Sequence, residues 1–207
     1  MKQFLFLAGV LLFLSACTSP SVIVKNKREA SMPYTRILAI YLEEGCDFSV
    51  FDSTAYNICL KSCFSNTEGA GLRDRVETRL RKHLATRMTE VLRSVDYFGA
   101  NNCDYVYFRR TVDSLKVDAV LMVGLRSHSH DEREVTVVRD GLPESSRYKT
   151  LNAFFVCDLL NPRSLYMPVW RAEIEEKGWR YTGDNGLNRN MTKKLAGSLK
   201  AARYVAR

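Results

Sequence analysis

One thiol at the end of an apolar leader and one pair of imidazoles are the groups in this chain whose setting suggests chemistry. Cys17 closes the run Leu14-Ser15-Ala16-Cys17. A thiolate is a strong nucleophile, so a cysteine placed there is suited to take up a lipid electrophile. His128-Ser129-His130-Asp131 is the second stretch. On a strand His128 and His130 fall on one face and would share a divalent metal. No third ligand stands at a recognisable spacing, so the favoured reading is a pair of solvent-facing imidazoles where a strand leaves the core. Metal-assisted hydrolysis through His128 and His130 is the alternative. The chain has no His-Glu-x-x-His, no Gly-x-Ser-x-Gly and no phosphate-cradling glycine loop. No catalytic residue, bound metal or cofactor is therefore expected.

The leader carries more. Lys2 is a short cationic start, Phe4 to Leu14 is a run of secretory length, and Ser15 and Ala16 are the small residues a peptidase pocket requires. The run is shorter than the roughly 20 apolar residues that span a bilayer. Leu14-Ser15-Ala16-Cys17 resembles the bacterial lipobox, a Leu-small-small-Cys tetrad. That resemblance implies a thioether-linked diacylglycerol on Cys17, cleavage just before it, and acylation of the new amine. With about 0.8 kcal/mol gained per buried methylene, two or three chains hold a protein firmly on a membrane. Thr18, rather than aspartate, follows the cysteine, which in enteric-type lipoproteins implies sorting to the outer membrane, facing the periplasm. The expected organisation is a signal peptide over 1–16, a lipidated tether over 17–33 reaching up to about 50 Å, and a single globular domain over 34–207.

An exported chain meets an oxidising compartment, where thiols pair. Beyond Cys17 there are five cysteines, an odd number. Cys46, Cys59, Cys63 and Cys103 are disulfide candidates, with one bridge expected inside the segment 45–70 or from it to Cys103. Cys157 lies in an apolar strand and is expected buried and unpaired. The net charge of +8 would suit anionic headgroups, lipopolysaccharide phosphates or an acidic partner; export argues against nucleic acid. The cationic residues Arg75, Arg79, Arg81, Lys82 and Arg87 are candidates for partner binding, as is Trp179. Trp170 is expected to pack against helices.

These groups need a scaffold. Ile37 to Leu42 reads as a central strand, followed by a long irregular connection over 45–70. Leu72, Val76, Leu80, Leu84, Met88, Leu92 and Val95 form one apolar stripe and predict a helix over 72–95. Its opposite face should be solvated, with Glu77 pairing Arg73 and Arg81, and Glu90 pairing Arg87 and Arg93. Tyr97 to Ala100 reads as a short strand, and Tyr105 to Leu115 as a second helix. Strands are expected over Ala119–Leu125, Val135–Val138, Tyr148–Leu160 and Val169–Ile174, the last two as a hairpin. A polar loop over Trp179–Asn190 then leads into a C-terminal helix on Met191, Leu195, Leu199 and Ala202.

The fold class expected is α/β (α+β), a mixed, largely antiparallel sheet with the long helix and the C-terminal helix packed on one face. Arg36-Ile37-Leu38-Ala39-Ile40, Val117 to Leu121, and Asp158 followed by Val169-Trp170 are similar to features of small periplasmic α/β lipoprotein domains. The curli-secretion lipoprotein and the N-terminal domain of the Tol-system propeller protein are examples. The functional expectation is a non-catalytic, lipid-anchored envelope module that binds an envelope protein or an anionic envelope component. A carrier of an apolar ligand is a further alternative.

Overall fold

The computed structural model describes residues 22–27, 32–101, 103–139, 142–179 and 183–206. Cys17 and the leader lie outside them. The fold is α+β. Six strands form one mixed sheet in the order β1-β6-β5-β4-β2-β3, where β1 is Val22–Lys27, β2 Arg36–Leu42, β3 Glu90–Arg93, β4 Ala119–Arg139, β5 Leu142–Asn161 and β6 Met167–Trp179. β2 runs parallel to both β3 and β4. The other neighbours are antiparallel.

Ile37 through Leu42 are all buried, as a strand covered on both faces requires. Ile37, Ala39 and Tyr41 face one layer, made by α3 (Ala70–Leu84) and α5 (Gly183–Ala201). Val76, Leu80 and Leu84 recur every fourth residue on α3, and Leu187, Met191, Leu195 and Leu199 do so on α5. Both helices thus lay one stripe on the sheet, and Trp170 is fully buried among them. Leu38, Ile40 and Leu42 face the second layer. It is built by α1 (Ser53–Ala55), a π-helical turn (Tyr56–Leu60), α2 (Lys61–Ser65) and α4 (Tyr105–Ser114). Asp104 caps α4 by accepting from the Tyr107 amide at 2.7 Å.

Several expectations change. Residues 22–27, expected within a tether, pair with β6 as the edge strand β1. The predicted helix over 72–95 ends at Leu84. The Thr86 hydroxyl accepts from the amides of Met88 and Thr89, which turns the chain. Leu92 then belongs to strand β3, and Met88 is exposed. The segment 45–70 is partly helical rather than irregular. The strands expected over 119–125 and 135–138 are one continuous strand, β4. Residues 97–100 follow a 3-10 turn at Ser94–Asp96 rather than forming a strand of their own. Trp179 is the last residue of β6, not a loop residue, and its side chain lies outside the described residues. Part of the expected loop over 179–190 is the first turns of α5.

Candidate functional site

Three parallel strands give the sheet a carboxyl end, and the chain leaves β2 there at Glu43. Such ends are where open α/β sheets place their ligands. The chain first crosses β4 at close range. A Cβ on Gly45 would sit 2.6 Å from the Arg126 Cα, so only glycine fits. It then folds back over the second face, and a Cys46–Cys59 disulfide closes this excursion. The π-helical turn holds Cys59, and α2 presents Cys63 one turn later. Asn66 and Gly69 lead into α3, whose second turn carries Arg73.

These segments enclose a cavity of about 150 Å³, lined among others by Leu42, Glu43, Cys59, Cys63, Asn66 and Arg73. Arg73 is 5% exposed, against the expectation of a solvated position. Its Nη1 donates to the Cys63 carbonyl at 2.9 Å and its Nη2 to the Phe98 carbonyl at 3.2 Å, while Nε has no hydrogen-bond partner. The guanidinium also lies 5.3 Å from the centre of the Phe64 ring. The Cys63 thiol donates to the Tyr41 carbonyl at 3.4 Å. Burial pushes its pKa up, with Arg73 opposing. At the rim, Glu43 accepts from Asn66 Nδ2 at 3.3 Å.

Behind this cavity Glu77 is fully buried. It does not pair with Arg81 as expected. It accepts from the Tyr41 amide at 3.1 Å, the Ser94 hydroxyl at 2.6 Å and the Val95 amide at 3.1 Å, so it fastens α3 to the end of β2. Burial pushes its pKa up to about 7, against these donors and Arg73. Glu90 pairs with Arg36, and Arg93 with Asp74 and Asp96, not with each other.

His128 and His130 lie on β4, opposite Ala153 and Leu151. His128 is exposed, and the side chain of His130 lies outside the described residues. Among the described residues no three His, Cys, Asp or Glu side chains gather as metal ligands. Cys157 is buried and unpaired. Cys63 and Cys103 are free thiols, and Cys103 Sγ lies 3.5 Å from the Ser65 hydroxyl.

The cationic candidates divide. Arg75, Arg81 and Lys82 are exposed on α3, Arg79 is half-buried there, and Arg87 is exposed on the turn beyond it. α3 and α5 end together, where Lys200 Nζ donates to the His83 carbonyl at 2.9 Å. Burial depresses the His83 pKa, and Lys193, Lys82, Lys200 and Arg79 depress it further. Sequence reasoning found the cations of α3 but not their convergence with those of α5. It also missed the cavity, because Arg73 reads as one more charge on a helix.

No protein-family model matches this chain, and no curated protein matches it. Among solved structures it is similar to the PelC dodecamer from Paraburkholderia phytofirmans, with 13% identity over 91% of this chain and 100% of that one, at a TM-score of 0.43. Lipoprotein GNA1162 from Neisseria meningitidis is similar at 12% identity over 81% and 99%, with a TM-score of 0.37. A putative neuraminyllactose-binding hemagglutinin homolog from Helicobacter pylori is similar at 11% identity over 87% and 93%, with a TM-score of 0.43. These likenesses are too distant to carry a functional assignment. Among the described residues no helix is long and apolar enough to cross a membrane.

Proposed function

We propose that this chain is a lipid-anchored cell-envelope protein, held on the outer membrane through Cys17, that acts as a binding module for an acidic envelope protein. The convergence of Arg79, Lys82, Lys193 and Lys200 around His83 carries this reading. Lys82 and Lys200 lie in the last turns of their helices, where cations are favourable for the helices themselves. Their concentration at one place also creates a field that steers an acidic surface toward it.

The position of β1 supports a protein partner over lipid headgroups. Val22 pairs with Ile174, and Lys27 with Trp170. The strand therefore emerges from the anchor at the carboxyl end of β2. The basic cluster sits at the amino end, where Thr89 Oγ1 donates to the Tyr34 carbonyl and the Tyr34 amide to that of Tyr204. The attachment point and the basic cluster thus lie at opposite ends of the sheet.

Crosslinking in intact cells, followed by purification and mass spectrometry, tests the reading. One dominant protein partner is expected, lost when the exposed Lys82 and Lys193 of the cluster are changed together to Glu. A partner retained in full by that variant would overturn docking through this surface. Labelled palmitate should enter the wild-type protein and not Cys17→Ala. Equal uptake by the variant would remove the anchor.

A further inference from the structure

We propose that the cavity at the carboxyl end of β2 binds a free α-amino acid, its carboxylate on Arg73 and its ammonium on Glu43. This goes beyond the docking reading and concerns the opposite end of the domain.

The argument rests on two opposite charges that share one small space without meeting. Arg73 is buried to 5% exposure, yet among the described residues it forms no ion pair within 4 Å. Its hydrogen bonds go to the Cys63 and Phe98 carbonyls and to the Cys63 sulfur, and among the described residues its Nε–H has no acceptor. A buried cation left with an idle donor is costly unless something anionic completes it. The nearest buried acid, Glu77, has its carboxylate occupied by Tyr41, Ser94 and Val95. Among the described residues Glu43 at the rim is engaged by the neutral Asn66 side chain.

A ligand bearing the inverse pair of charges as two substituents of one carbon would bridge Arg73 and Glu43 with two charge-assisted hydrogen bonds. Leu42 and Ile58 add apolar wall for a short side chain. About 150 Å³ is the scale that holds a molecule the size of benzene, which suits alanine. The frame is fixed: the Cys46–Cys59 bridge holds one wall and a π-helical turn, a feature frequent at functional sites, forms part of it.

The test is titration of the full-length protein in detergent micelles with alanine, propionate and ethylammonium, read by calorimetry. Alanine should bind saturably at one site per chain, and each half-ligand at least tenfold more weakly. Glu43→Gln should weaken alanine about tenfold while leaving propionate unchanged. Ser62→Trp, at an exposed position on the cavity wall, should abolish binding without touching Arg73. Absence of saturable alanine binding by a wild-type protein that melts cooperatively would overturn the proposal. So would propionate binding as tightly as alanine, or alanine binding unchanged in both variants. None of these outcomes bears on crosslinking through the basic cluster.

Discussion

Asp158, 1% exposed near the end of β5, holds Arg171 of β6 through two hydrogen bonds of 2.6 and 3.2 Å. The same guanidinium reaches Asp47 in the excursion after β2 at 2.7 Å. Burial pushes the Asp158 carboxyl up, and Arg171 pulls it back. Removing Arg171 would strand a buried carboxylate, a loss of about 3–5 kcal/mol. Arg171→Met should lower the free energy of urea unfolding by that amount, and Asp158→Asn combined with it should recover part of the loss. A single variant as stable as wild type would show that the pair does not hold the sheet to its loop.

Glu77 gives the fold a pH dependence of its own. Its folded pKa is about 7 against an ordinary 4.5, so the folded state keeps a proton that the unfolded chain has released. The contribution is complete below pH 4.5, declines as pH rises, and is gone above about 7. The span corresponds to on the order of 3 kcal/mol. Unfolding midpoints measured from pH 4.5 to 8 should fall with rising pH in wild type, and Glu77→Gln should lack that component. Parallel profiles would place the Glu77 titration elsewhere.

The thiols should respond to an alkylating reagent in order of access. Cys103 and Cys63 are half-buried, whereas Cys157 is fully buried and burial pushes its pKa up. Mass spectrometry should find Cys103 and Cys63 modified in native protein and Cys157 only after unfolding. Early modification of Cys157 would contradict its place beneath α5. Replacing Cys46 and Cys59 by Ser opens a bridge across 13 residues, with an expected loss of about 2–4 kcal/mol.

Truncation tests β1. A chain beginning at Pro33 would keep every helix yet uncover β6 as a new edge and remove Val22 from the helix-covered core. It should melt several degrees lower and aggregate more readily than one beginning at Thr18. Equal melting of the two would return residues 18–33 to the role of a tether.

Much of this architecture is legible in the chain. Ile37 to Leu42 announces a strand buried on both faces, and the fourfold spacings of α3 and α5 announce helices that lie on a sheet. What misleads is a pattern that two structures share. Met88, Leu92 and Val95 continue the helical spacing by coincidence, while the break lies in the hydroxyl of Thr86. Val22-Ile23-Val24 is too short to declare itself among polar neighbours, and only the free edge of β6 makes it a strand. The cavity is illegible for a related reason. The signs that set Arg73 apart from its neighbours on α3 are the Cys63 and Phe98 carbonyls, which come from other parts of the chain.

The long hairpin limits how an anchored molecule can stand. β5 extends from Phe155, level with the start of β1, back to Leu142 at the ribbon's end, a contour of about 43 Å. Five residues from Cys17 to Val22 reach at most about 18 Å. Both lead from the same end of the sheet. A domain fastened by so short a leash has no room to stand upright over a ribbon more than twice as long. With Cys17 lipidated, it must recline, the ribbon running along the bilayer surface as an outrigger that fixes the molecule's tilt.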